Sequence, residues 1–141
     1  MITALLLLLQ AAAPPVLVPA APATQTAATL PPQDWSVLPI VRIRRQATAL
    51  ANTSAYVHGE VVAGRCARVV RTTQGWAVTV NLAVLITPDG RIRRVTPRAI
   101  DCPTVEQYAA GLILGARDSI DVVDADADAW YRTSLTFAWG A

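Results

Sequence analysis

Few residues in this chain of 141 could carry out catalysis. His58 is the single imidazole, and a nucleophile and base set around it would have to recruit Ser54 or Ser119. Neither serine lies in a recognisable nucleophile turn, and Glu60 is too near His58 in sequence to share its helical face. We therefore expect a protein that is not an enzyme and needs no cofactor.

Four aspartates between residues 121 and 128 form a pattern similar to the start of a calcium-binding loop. They are Asp121, Asp124, Asp126 and Asp128. Such a loop needs glycine at its sixth position and glutamate at its twelfth, where this chain has Ala129 and Leu135. The sequence favours a solvated acidic turn and no metal site.

Cys66 and Cys102 are the two cysteines. A redox or metal pair is the weaker interpretation, because the spacing is not Cys-x-x-Cys and only one histidine could join them. In an exported chain, an oxidising compartment favours a disulfide between them. Closing a loop of about 37 residues would stabilise the fold by roughly 3 to 4 kcal/mol on the chain-entropy model.

The basic residues are all arginine, and the net charge is +2, which is too small to indicate a nucleic-acid partner. Four of them cluster on or just after one predicted strand: Arg91, Arg93, Arg94 and Arg98. Charges on an exposed strand usually serve solubility and discourage edge pairing. The alternative is that one of them guides an acidic partner.

The N-terminal region differs in composition from the rest. Residues 1–23 combine an apolar run with small residues at Ala21-Pro22-Ala23, which predicts a signal peptide, although no Lys or Arg precedes the apolar run. The alternative is an uncleaved membrane anchor. Residues 24–35 form a Pro/Ala-rich linker, and residues 36–141 form one domain.

The domain contains three stretches with the alternation of half-buried strands. Residues 76–87 place Val78, Val80, Leu82, Val84 and Ile86 on one face. A Thr-Pro-Asp-Gly turn at 87–90 leads to a return strand at 91–96, where a bulge is expected between Ile92 and Val95. Residues 131–139 alternate again and supply most of the aromatic burial.

Between these strands, the period changes to that of a helix from Pro103 to about residue 116. Its N-terminus should be capped by Asp101 or by Thr104, with Thr104 and Gln107 forming a capping box. Residues 54–64 predict an earlier helix capped by Ser54. Residues 41–45 predict a short edge strand, and residues 67–71 predict a short strand. The predicted fold is α+β, a small antiparallel sheet of about three strands covered on one face by one or two helices.

The order of these elements, with the pattern Val80-x-Leu82-x-Val84-x-Ile86-x-x-x-Gly90-x-Ile92 and the ending Leu135-x-Phe137-x-Trp139, resembles the periplasmic C-terminal domain of TonB and TolA-like energy transducers. The resemblance covers about residues 55–139. The Tyr-Pro that precedes the first strand in the family is absent. The cysteine pair is additional, and the long Pro-rich spacer is mostly missing.

The resemblance implies a periplasmic domain that binds an outer-membrane TonB-dependent receptor by strand addition in energy-coupled transport. The candidate binding residues are Arg132, Ser134 and Thr136, on the face of the last strand that points away from the helix. The alternative function is a stand-alone, disulfide-stapled structural or inhibitory module of the envelope. In either case, we expect a monomer or a strand-swapped dimer, attached to a membrane only through an uncleaved N-terminus.

Overall fold

A computed structural model of the chain describes residues 30–43, 46–116, 120–121 and 125–140. This part of the chain is α+β, as predicted, with two helices and a four-stranded antiparallel sheet. In chain order, the elements are α1 (Gln46–Val62), β1 (Val70–Thr72), β2 (Gly75–Ile86), β3 (Ile92–Pro97), α2 (Pro103–Gly115) and β4 (Ala129–Trp139). The predicted signal peptide and residues 24–29 of the predicted linker lie outside the described residues.

Strand β2 is the centre of the sheet. Along one side it pairs with β4 over the whole stretch from Trp76↔Trp139 to Ile86↔Ala129. Along the other side it pairs with β1 near its start and with β3 near its end. The sheet is therefore three strands wide, and β4 forms one complete edge of it.

The turn between β2 and β3 forms as the sequence predicts. The Gly90 N–H donates to Thr87 O, and Gly90 has a φ of 79°, the left-handed conformation that closes the hairpin. In β3, Arg94 pairs with Leu85 while Ile92 pairs with Ile86, so one extra residue intervenes. This is the expected bulge, and it brings Ile92 and Val95 to the same side, where both pack against the core.

Both helices cover one face of the sheet, and the core lies between these layers. The predicted apolar stripe of α2 is confirmed, with Val105, Ala109 and Ile113 buried. The alternating side chains of β2 and β4 meet this stripe, and the largest fully buried ones are Phe137, Leu82 and Ile86. Each such side chain stabilises the fold by roughly 1.5 to 3 kcal/mol relative to an exposed position.

The helix N-termini differ from the prediction. Helix α1 begins at Gln46, so Ser54 lies within the helix instead of capping it, and its Oγ accepts a hydrogen bond from the Ala138 N–H. In α2 the cap position is Cys102, with no side-chain cap. The predicted Thr104–Gln107 capping box is wrong, because Thr104 donates to Glu60 while Glu106 Oε1 accepts from the Ile100 and Cys102 N–H groups.

The disulfide joins Cys66 and Cys102, as predicted, with 4.8 Å between their Cα atoms. It connects the loop after α1 to the start of α2, and both cysteines are buried in the core. No helix in the described ranges is both long and apolar enough to span a bilayer.

Candidate protein-binding surface

The outer side of β4 is a sheet edge. Because β4 pairs with β2 through its odd-numbered residues, the N–H and C=O groups of Arg132, Ser134, Thr136 and Ala138 point away from the sheet. At Ala138 the N–H is taken by Ser54 Oγ at 3.2 Å. The other positions of this edge differ from one another in what occupies them.

At Arg132 the edge is already paired. Its N–H donates to Pro39 O at 2.8 Å, and its C=O accepts from the Val41 N–H at 3.0 Å, which forms a parallel bridge opposite Ile40. Beyond this bridge the segment leaves β4, and Ile43 bridges instead to Ile120. Val41 and Ile43 are buried in the core, which holds the segment in this position.

The edge differs at Ser134 and Thr136. Within the described ranges, neither residue has a backbone hydrogen-bond partner on the outer side of β4. Their side chains are exposed on the face opposite the helices, as the alternation of β4 predicts, and Thr136 Oγ lies 3.0 Å from Thr79 Oγ. The three predicted binding residues therefore lie in one row, and within the described part of the chain the outer backbone groups of two of them, Ser134 and Thr136, have no partner.

A cleft of about 610 Å³ begins where the N-terminal segment separates from β4. One wall is the segment itself, and the other is formed by the sheet face with Asn81, Arg132 and Ser134. Trp35 and Arg98 also line the cleft, and the Arg98 guanidinium carbon lies 4.5 Å from the centroid of the Trp35 ring. The cleft thus joins the open part of the β4 edge to a basic and aromatic lining.

Three arginines line this cleft. Arg98 and Arg42 are exposed, and Arg132 is partly buried, with its Nε donating to Leu38 O at 3.0 Å. Among the described residues, the Arg98 guanidinium donates no hydrogen bond, and the terminal nitrogens of Arg132 have no acceptor. A guanidinium that stacks on an aromatic ring keeps its edge donors available for a planar acceptor.

One carboxylate lies beside these arginines. Asp34 accepts the Ser36 N–H at 2.8 Å, and hydrogen bonds from Ser36 hold the pKa of Asp34 below its usual value, with smaller contributions from the charges of Arg98 and Arg132. The Asp34 carboxylate thus accepts its hydrogen bonds from Ser36, two residues later in the chain. The lining as a whole keeps an excess of positive charge.

The other residues considered for chemistry lie elsewhere. The His58 ring stacks on Trp139 with 5.2 Å between ring centroids, and Ser54 is bonded to Ala138 on the edge of β4. Ser119 lies outside the described residues. Of the aspartate row, Asp128 forms an ion pair with Arg93, and the part of the chain described here contains no cluster of three potential metal ligands.

Sequence reasoning missed most of the cleft. Trp35 and Arg98 are more than sixty residues apart, and Trp35 falls inside the predicted linker. The available signal was the apolar content of residues 35–43, which is too high for a free linker and predicts contact with the domain. Comparisons of the chain with known protein families, with curated proteins and with solved structures find no match.

Proposed function

We propose that this chain is a protein-binding domain of the periplasm that adds an extended segment of a partner to the outer side of β4. The observation that carries the proposal is the outer edge of β4 at Ser134 and Thr136, where the described residues supply no backbone partner, on a strand whose inner side is fully paired. In strand addition, such main-chain groups supply affinity, and pockets for alternate side chains supply specificity. The partner expected from the resemblance to TonB is an outer-membrane receptor.

Two further features support this proposal. The disulfide fits this location, because disulfides form and persist in oxidising compartments such as the periplasm. The segment that bridges to Arg132 shows that an extended chain can pair with the outer side of β4. A partner segment would pair in the same way at the next positions of the strand. Unpaired strand edges also invite pairing with another chain.

The direct test is a proline at Thr136. Proline removes the outward N–H, and it is tolerated on the solvent side of edge strands. The matched control is Thr136→Val, because it also removes the Thr136–Thr79 hydroxyl contact but keeps the N–H. Arg132→Pro is a poorer choice, since it would break the bond to Pro39 O.

The three proteins would be immobilised and exposed to detergent-solubilised outer-membrane proteins, with near-ultraviolet circular dichroism to verify that each is folded. We expect the wild type and Thr136→Val to retain the same receptor and Thr136→Pro to retain none. Equal retention by all three would contradict strand addition at this edge. Retention of no receptor by the wild type would favour the stand-alone structural or inhibitory module instead.

The periplasmic part of the proposal has its own test. The intact mass of the protein purified from cells shows whether residues 1–23 are removed, and fractionation shows where it resides. A processed protein released with the periplasmic fraction supports a soluble binding domain. A protein that keeps residues 1–23 and stays with the inner membrane supports an anchored energy transducer.

A further inference from the structure

The cleft beside the open edge of β4 has a chemistry of its own. Arg98 stacks on Trp35 and Arg132 is held by Leu38 O, so both guanidinium groups are fixed in orientation. Both line the same cleft as Ser134, the first residue of the open edge. A chain that pairs with Ser134 would therefore run beside Arg132, at the β4 side of the cleft that Arg98 also lines.

We infer that this cleft selects an acidic side chain of the added segment, so that the partner of this domain is an extended peptide with a glutamate or aspartate at one fixed position. This inference rests on the proposed strand addition and specifies the chemistry of its partner. A carboxylate is the planar acceptor that matches a guanidinium edge, and hydrogen bonds with a charge on both partners are stronger than neutral ones.

The charges of the cleft support an acid over other side chains. Among the described residues that line the cleft, Arg42, Arg98 and Arg132 accompany one carboxylate, Asp34, which accepts hydrogen bonds from Ser36. A neutral partner would leave this positive excess uncompensated, and a basic one would be repelled. A protein acid is favoured over a nucleic-acid phosphate, because the net charge of the chain is only +2 and the cleft adjoins a strand edge that can pair with a peptide backbone.

The experiment begins with selection from a displayed library of random linear peptides of about nine residues against the purified full chain. The tightest selected peptide is then synthesised in two forms, one with its acidic residue and one with the matching amide. Both are titrated into the isotope-labelled protein, and the Ser134 and Thr136 amide signals report where they bind. A single-stranded oligonucleotide of similar length is titrated in parallel.

Wild-type protein is expected to bind the acidic form up to about fivefold more tightly than the amide form, the upper end of the range measured for exposed ion pairs. Arg98→Gln should reduce this ratio to about one. Arg68→Gln should preserve the ratio. It makes the same change of charge outside the cleft, because Arg68 lies in an exposed ion pair with Asp101. Raising the salt concentration should also reduce the ratio.

The possible failures are distinguishable. Equal binding of the two peptide forms to the wild type, with the Ser134 and Thr136 signals still shifted, would overturn the acid preference but leave strand addition standing. Selected peptides that bind Thr136→Pro as well as the wild type would overturn strand addition itself. Tighter binding of the oligonucleotide than of the acidic peptide would also overturn the inference, because it would assign the arginines to phosphate.

Discussion

Glu60 shows how a single residue can connect the two helices. Its side chain is only 7% exposed, and it accepts two hydrogen bonds from the Arg65 guanidinium, at 2.9 and 2.7 Å. A third comes from Thr104 Oγ, in the first turn of α2. The hydrogen bonds from Arg65 and Thr104 lower the pKa of Glu60 from 4.5 to about 2.

This lowered pKa predicts a dependence of stability on pH. The folded state favours the ionised carboxylate, so its contribution is complete above about pH 4.5 and is lost as the pH falls towards 2. Glu60→Gln should therefore be less stable than the wild type at pH 7, and the difference should shrink in acid. Urea unfolding at pH 7, 4.5 and 3 measures it. Asp126→Asn, at an exposed position, is the control, and a Glu60→Gln difference that stays constant with pH would contradict the prediction.

The placement of the candidate binding residues in the sheet could be predicted only in part. The alternation of β4 placed Ser134 and Thr136 on the face away from the helices, because successive side chains of a strand point to opposite faces and this pattern is visible in the sequence. No local sequence pattern could show that Pro39 and Val41 form hydrogen bonds with the backbone of Arg132. That pairing joins distant parts of the chain, and its partners carry no complementary pattern.

At the scale of the elements, the glycine that opens β2 is under a strict constraint. Gly75 has a φ of 138°, and a Cβ built on it would lie 2.1 Å from Trp139 O, on the neighbouring strand. Gly75→Ala should therefore destabilise the protein by about 2 kcal/mol or more, because both the backbone conformation and the close approach of β4 require glycine.

The matched control for this substitution is Gly59→Ala. Gly59 lies within α1, where an added Cβ meets no atom within 4 Å, and alanine should stabilise the helix by about 0.5 to 1 kcal/mol. Thermal and urea unfolding of both variants tests the pair. Two variants of equal stability would show that the junction between β2 and β4 is looser than its geometry indicates.

The elements that sequence reasoning found are those with a strong period or a defined turn. These are β2, the turn at Gly90, β3 with its bulge, α2 and β4. The start of α1 was missed because residues 46–53 are largely small and polar and have no apolar stripe to mark a helix. The edge strand expected at 41–45 is, in the described residues, two isolated bridges, which a local pattern cannot distinguish from a strand.

For the whole molecule, the disulfide has the largest expected effect. Cys66 and Cys102 are 36 residues apart, and the bond encloses β1, β2 and β3 in one covalent loop. Replacing both cysteines with alanine should lower the free energy of unfolding by about 4 kcal/mol on the chain-entropy model. Urea unfolding with and without reductant measures this difference.

The double alanine variant provides the internal control for that measurement. Reductant should lower the urea midpoint of the wild type and leave the variant unchanged, because the described part of the chain contains no other cysteine. If reductant does not shift the wild-type midpoint, the loop does not stabilise the fold.

The central position of β2 also has a kinetic consequence. β3 reaches β2 through a short turn, whereas β4 is separated from β2 in sequence by β3, by α2 and by the residues that follow α2. Loop closure makes such late, non-local pairing slow. Until β4 pairs, the backbone N–H and C=O groups along that edge of β2 have no strand partner, and a second refolding chain can pair there. We therefore expect refolding yield to fall steeply with protein concentration, although the finished domain is protected from self-association along that edge.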